Sequence, residues 1–286
     1  MQIKKNPLNI IKYGVFFAKA LKKYDVFHCY YKSFIPIISL DLPLLKKLDK
    51  KIIMQFCGCD ARLCTKQFPN KTMHSACYYY NHNCGSDKDK ERFIRLIQKY
   101  ANYYYVAIPD ILDFVPDADY IPYAVDREVL KPKTDPNNEI PLIIHAPTNP
   151  LIKGTKYVME AIKELEKKRL KFKFVKLENV PFDKILDLYK SADIIVDQLL
   201  LGWYGTMAAE NMALGNTVCS YIRPDLESYA KQCPIINCTP KTLAANLEEL
   251  ITDESLRRQT ARKGPDYVAR MHDAEKLTKK VARHYY

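Results

Sequence analysis

Apolar positions along the chain alternate between two rhythms. Short runs rich in Val, Ile, Phe and Tyr read as strands: Asp25–Tyr31, Lys51–Phe56, Tyr103–Ile108, a brief one at Tyr120, then Pro141–His145, Lys171–Leu177, Asp193–Asp197 and Asn216–Ile222. Between them the spacing turns helical, over Pro7–Tyr24, Asp41–Leu48, Asp87–Ala101, Thr155–Lys167, Phe182–Lys190 and Gly205–Leu214. In Thr155–Lys167, Val158, Ala161, Ile162 and Leu165 mark one face. Three further helical stretches, from Lys241, Glu254 and Asp266, finish the chain. Strand and helix alternate at ~30 residues per unit, which predicts parallel sheets with right-handed crossovers. The polar, proline-bearing stretch Lys131–Asn138 reads as a linker, so the expected domains are 1–130 and 131–286.

With 286 residues, 48% hydrophobic and 27% charged, the composition is that of a globular chain and excludes disordered, collagenous and coiled-coil classes. No apolar run reaches the ~20 residues of a membrane span, and the N-terminus lacks the pattern of a secretory signal. The net charge of +12 favours polyanionic or phosphorylated partners. The nine cysteines read as cytosolic thiols or metal ligands.

Ligands of parallel α/β sheets sit beyond the C-terminal strand ends. One such end is His145-Ala-Pro-Thr-Asn-Pro-Leu-Ile-Lys153-Gly154-Thr155, which enters a helix N-terminus with an ammonium and a glycine beside it. That combination suits an anion, or is a plain helix start with a solvated lysine. A second is Asp197-Gln-Leu-Leu-Leu-Gly202-Trp-Tyr204-Gly205-Thr206, leading into a helix that carries Glu210 among Ala208, Ala209, Met212 and Ala213. A carboxylate in such surroundings needs a donor, and a ribose diol supplies two; the alternatives are a nearby Lys or Arg, or water. A third is Glu178-Asn-Val180-Pro181, whose backbone suits a nucleobase edge or forms a simple turn.

Together these pieces resemble the nucleotide-binding domain of GT-B glycosyltransferases of the Glu-x7-Glu group. The resemblance rests on Ile152-Lys153-Gly154-Thr155, Ala192-Asp193-Ile-Ile-Val-Asp197-Gln198 and Gly205-x4-Glu210-x-Met212-Ala213-x-Gly215. More loosely, Tyr24–His28, Lys51–Arg62 and Ile108–Asp126 are similar to the acceptor-side domain of that group. The resemblance implies an α/β fold of two Rossmann-like domains, the N-terminal one reduced, with parallel sheets and helices on both faces. It implies transfer of a sugar, with retention, from a nucleotide diphosphate donor to a glycan or lipid-linked acceptor in polysaccharide or glycoconjugate synthesis. Lys153 would hold the diphosphate and Glu210 the ribose. Gly154, Thr155, Glu178, Val180, Gly202, Tyr204, Gly205 and Thr206 would line the donor, while His28, Asp60 and Arg62 would meet sugar or acceptor. No cofactor is required for such catalysis. Two family residues are absent: the earlier Glu falls at Gly202 and a phosphate-binding Arg at Thr148.

Cys57, Cys59, Cys64, Cys77 and Cys84, with His74 and His82 among them, form a candidate zinc site or a set of unligated thiols. The basic N-terminal helix, with Val15, Phe16 and Phe17 among its lysines, suits peripheral contact with an anionic membrane, or packs on the first domain. The expected location is cytoplasmic, with the inner membrane face as its extension. No nucleic-acid motif is present, so a nucleic-acid partner is not expected. A catalytically inactive sugar-nucleotide-binding subunit is the alternative to an enzyme.

Overall fold

The structure is a computed structural model and describes residues 7–35, 39–63, 85–133, 138–178 and 180–286. The chain divides into two compact units between Ile121 and Pro122, earlier than the expected 130/131, and Lys279–Tyr286 belong to the first unit.

In the first unit, β1 (Val26–Tyr30), β2 (Lys51–Phe56), β3 (Tyr103–Val106) and β4 (Asp119–Tyr120) form one parallel sheet in sequential order. Helix α1 (Pro7–Lys23) precedes β1, α2 (Asp41–Lys47) joins β1 to β2, and α3 (Asp87–Tyr100) leads into β3. Ile52, Ile53, Met54 and Phe56 of β2 are completely buried, as a central strand covered on both faces requires.

In the second unit the strands are β5 (Leu142–His145), β6 (Lys173–Lys176), β7 (Ile194–Val196), β8 (Thr217–Ser220) and β9 (Ile236–Asn237). They pair in parallel in the order β6-β5-β7-β8-β9. After β5 comes one helical turn, Pro150–Lys153, and then α4 (Thr155–Lys167). Val158, Ala161, Ile162 and Leu165 of α4 are buried against Ile143, Ile194 and Val196, the face that the sequence predicts. Helices α5 (Phe182–Ser191), α6 (Thr206–Ala213), α7 (Leu243–Thr252), α8 (Glu254–Met271) and α9 (Ala274–Ala282) complete the chain. β5 pairs with β6 on one side and β7 on the other, so the strand order reverses between β5 and β7. This is the topological switch point, where the loops leaving two neighbouring strands part and open a crevice.

Two expectations need correction. The helix placed from Asp266 is the end of α8, which continues through Pro265 to Met271. Proline removes a single backbone donor, and the surrounding packing carries the helix past it. The sequence pattern predicts no strand after Pro234, where the structure has the two-residue strand β9. Among the described residues no helix is long and apolar enough to cross a membrane.

The seating of α6 on α8 depends on Gly264. A β-carbon there would lie 3.1 Å from the Met212 Cα and closer still to the Met212 carbonyl oxygen. Gly264→Ala should therefore push α8 off α6 and cost roughly 2–3 kcal/mol of stability by chemical denaturation. An unchanged denaturation midpoint would show that the contact relaxes freely.

Candidate functional site

The loops at the switch point of the second unit are held by one buried carboxylate. Asp197, directly after β7, is completely inaccessible to solvent. Its Oδ1 accepts from the Lys153 ammonium at 2.6 Å, and its Oδ2 accepts from the Gly205 backbone N–H at 2.7 Å. Lys153 Nζ also donates to Gln198 Oε1 at 2.7 Å. An ammonium has three donors, so two fix its direction and one remains for a ligand. Lys153 keeps 14% side-chain exposure, enough for that third donor to be reached.

The residues around Lys153 hold it in place. Asn149 caps the turn, its Oδ1 accepting from Leu151 N at 3.1 Å and Ile152 N at 3.3 Å. Gly154 has φ 78°, a left-handed conformation, and a β-carbon there would meet Leu199 and Leu200 at 3.3 and 3.2 Å. Thr155 is buried and its hydroxyl bonds His145 Nε2 at 2.9 Å, while His145 Nδ1 donates to the Val196 carbonyl at 2.8 Å. Burial lowers the His145 pKa, keeping the ring neutral. At Gly205 a β-carbon would come within 3.1 Å of both Asp197 Oδ2 and Lys153 Nζ, so this position leaves the backbone free to approach the ion pair.

Glu210 lies in the second turn of α6 and is half-buried. It has no hydrogen-bond or ion-pair partner among the described residues. Burial, then the negative charge of Asp197, raises its pKa from 4.5 to about 6. Thr206 stands exposed in the first turn of α6, whose N-cap, Gly205, supplies no side-chain cap. The site therefore pairs an oriented cation with a carboxylate that lacks a donor.

Other expected donor residues lie differently. Tyr204 is completely buried, with its hydroxyl bonded to Tyr267 Oη and His272 Nε2, both at 2.9 Å. It is a core residue with no surface for a donor. Glu178 is exposed and pairs with Lys176 at 3.3 Å, and Val180 is half-buried. The Arg223 side chain packs 3.1 Å from where a Gly202 β-carbon would stand, so a larger residue at Gly202 must displace it. Arg223 itself forms a bidentate pair with Asp225 at 2.7 Å.

In the first unit the expected residues are engaged in holding the fold. Asp60 accepts from Cys57 N and Gly58 N, the latter at 2.6 Å, and burial raises its pKa to about 6. Arg62 and Asp110 form a buried ion pair, with Nε 2.8 Å and NH2 2.7 Å from Asp110 Oδ2. Both ring nitrogens of His28 are within hydrogen-bond reach of tyrosine hydroxyls, Tyr285 at 2.8 Å and Tyr105 at 3.2 Å. Cys57 and Cys59 belong to no cluster of three or more His, Cys, Asp or Glu among the described residues. Cys64, Cys77, Cys84, His74 and His82 lie outside those residues. Burial pushes the Cys57 thiol up to about 12, away from the thiolate that zinc needs. Zinc thus finds no support among the described residues.

Several solved structures are similar in fold. Sucrose-phosphate synthase from Thermosynechococcus elongatus superposes with a TM-score of 0.68 at 13% identity, over 96% of this chain and 76% of that one. Anabaena HepE, in complex with UDP, gives 0.65 at 12% identity, over 95% and 80%. TarM gives 0.59 at 16% identity, over 87% and 58%. The two parallel α/β sheets of this chain match the GT-B fold of these proteins. No protein-family model and no curated protein matches the sequence.

The raised pKa of Glu210 has a sign for stability. Below about 4.5 the carboxyl is protonated in folded and unfolded chains alike; between there and about 6 only the unfolded chain ionises, so folding weakens as pH rises. At neutral pH the penalty is on the order of 2 kcal/mol. Glu210→Gln should therefore stabilise the ligand-free protein at neutral pH and leave it unchanged in mild acid, as thermal melts across that range would show. Equal melting of the two proteins at neutral pH would mean that the carboxylate is not strained.

Proposed function

We propose that the chain is a glycosyltransferase that takes a sugar from a nucleotide diphosphate donor bound at the switch point of its second unit. The observation that carries this is an oriented ammonium, Lys153 of the turn after β5, tied through Asp197 to the start of α6, the helix that holds the unpartnered half-buried carboxylate of Glu210. The fold likeness to proteins crystallised with UDP and UDP-glucose supports the donor class. In this reading Glu210 accepts from the two ribose hydroxyls. The free Lys153 donor and the first N–H groups of α6 meet the diphosphate. The bond from the anomeric carbon to the diphosphate oxygen breaks, and the acceptor oxygen bonds that carbon on the same face. The acceptor proton passes to a phosphate oxygen of the leaving nucleotide, giving retention without a protein nucleophile. Lys153 acts by stabilising the charge that grows on the departing diphosphate. The acceptor is a glycan or lipid-linked sugar.

A second reading has its own observation. Gly202 and Thr148 stand where the resembled group has an acid and a cation, and Arg223 packs against Gly202. This favours a binding subunit that holds the sugar nucleotide without turning it over. Donor hydrolysis or transfer by the purified protein supports the enzyme; nucleotide binding without either supports the subunit.

Lys153→Ala should lower turnover by roughly 10²–10³-fold, more than it weakens nucleotide binding, because its donor meets charge that develops in the transition state. Glu210→Ala should weaken nucleotide diphosphate binding by roughly tenfold to a hundredfold, because the diol carries no changing charge. Steady-state kinetics and calorimetry separate the two. Nucleotide binding as tight as wild type in both variants would place the site elsewhere.

A further inference from the structure

The first unit carries a surface that the donor chemistry does not use. Strand alternation puts Phe27 and Cys29 on one face of β1. Phe27 receives Phe17 of α1, with ring centroids 6.1 Å apart, and Phe56, on the same face of β2 by register, receives Phe93 of α3 at 6.2 Å. Helix α3 packs against α2. The three helices therefore form one layer on that face of the sheet.

The outer side of this layer is both greasy and cationic. Leu40, Leu44 and Leu48 recur every fourth position along α2 and its two caps, at 59%, 40% and 47% exposure. On α1, Phe16 is 59% exposed between Lys12, Lys19 and Lys23, which share its face. On α3, Lys88, Arg92, Arg95 and Lys99 form a single exposed stripe. Lys46 and Lys47 flank the leucines. Asp49 and Asp89 are the exposed acids of α2, its C-terminal turn and α3. Lys12, Lys19, Lys46, Lys47, Lys88, Arg92 and Arg95 make no ion pair among the described residues.

We infer that this three-helix layer docks on an anionic phospholipid surface, with Leu40, Leu44, Leu48 and Phe16 entering the interface and the basic stripes of α1 and α3 meeting the headgroups. Each part alone is weak. Surface cations gain little without a dense counter-charge, and a few leucines gain little without long-range attraction; together they give the two signals that stable adsorption requires. The cations spread over three helices rather than lining a groove, which fits a planar sheet of charge better than a nucleic-acid strand. The leucine stripe offers a nucleic acid no hydrogen bond. The inference extends the sequence expectation for α1 to α2 and α3, and it is independent of the transfer reaction.

Sedimentation of the full chain with vesicles tests it. Wild type should bind vesicles of phosphatidylcholine with phosphatidylglycerol, release in high salt, and ignore phosphatidylcholine alone. Arg92→Glu with Arg95→Glu, and separately Leu44→Ser with Leu48→Ser, should each weaken binding by roughly tenfold or more. The control is Lys163→Glu with Lys167→Glu, the same charge change on exposed positions of α4, which should bind as wild type does. Far-ultraviolet circular dichroism and thermal melts confirm that each variant folds, and a variant that does not is replaced by Lys88→Glu with Lys99→Glu or by Leu40→Ser. No binding to the mixed vesicles would overturn the proposal. So would equal loss in the α3 and α4 charge variants, which would mean net charge alone is being read, or undiminished binding of the leucine variant.

Discussion

The contact on which the site depends is the buried carboxylate of Asp197 held between the Lys153 ammonium and the Gly205 N–H. Removing a carboxylate from water costs several kcal/mol, and only good geometry with every lone pair engaged offsets it. Here both oxygens have short partners, from two loops that leave neighbouring strands. The same group thus ties the turn after β5 to the start of α6, aims the ammonium, and brings the backbone of Gly205 beside it. Burial, and after it the charge of Asp197, disfavours the ionised carboxyl of Glu210.

Glu210 differs in its bonding from the polar groups of the first unit. Asp60 is covered by backbone donors, Arg62 has Asp110, and His28 sits between two tyrosines. Their side chains make these hydrogen bonds inside the first unit. Glu210 has spare acceptors, partial burial and a raised pKa, a combination that persists in a folded chain when something else completes it. A pair of hydroxyl donors does so without adding a charge to a site that already balances Lys153 against Asp197.

Much of this was legible because it is local. Apolar spacing located α4 and its buried face, and strand-to-helix junctions with glycine pointed to Lys153, Gly205 and Glu210. What was not legible depends on residues distant in sequence. Tyr204 beside Gly205 reads as a pocket aromatic until Tyr267 and His272 are seen to take its hydroxyl. Lys153 reads as a free cation until Asp197 and Gln198 are brought to it by the pairing of β5 with β7. Arg223 lies well beyond Gly202 in the chain, so nothing local shows that it covers that glycine. Pro265 argues for a helix end, and only the packing of α8 against α6 and β8 carries the helix through it.

The central claim is that Glu210, as a carboxylate, receives the ribose of a nucleotide diphosphate. Its direct measurement is the affinity of such a nucleotide for wild type and for Glu210→Gln as pH falls through about 6, the value to which burial and Asp197 raise this group. The ionisation of the nucleotide itself is common to both proteins and drops out of the comparison. Wild type should bind more tightly than the variant at neutral pH, and the gap should close as the carboxyl takes up its proton. A gap that stays constant across that range, or no gap at any pH, would contradict the account.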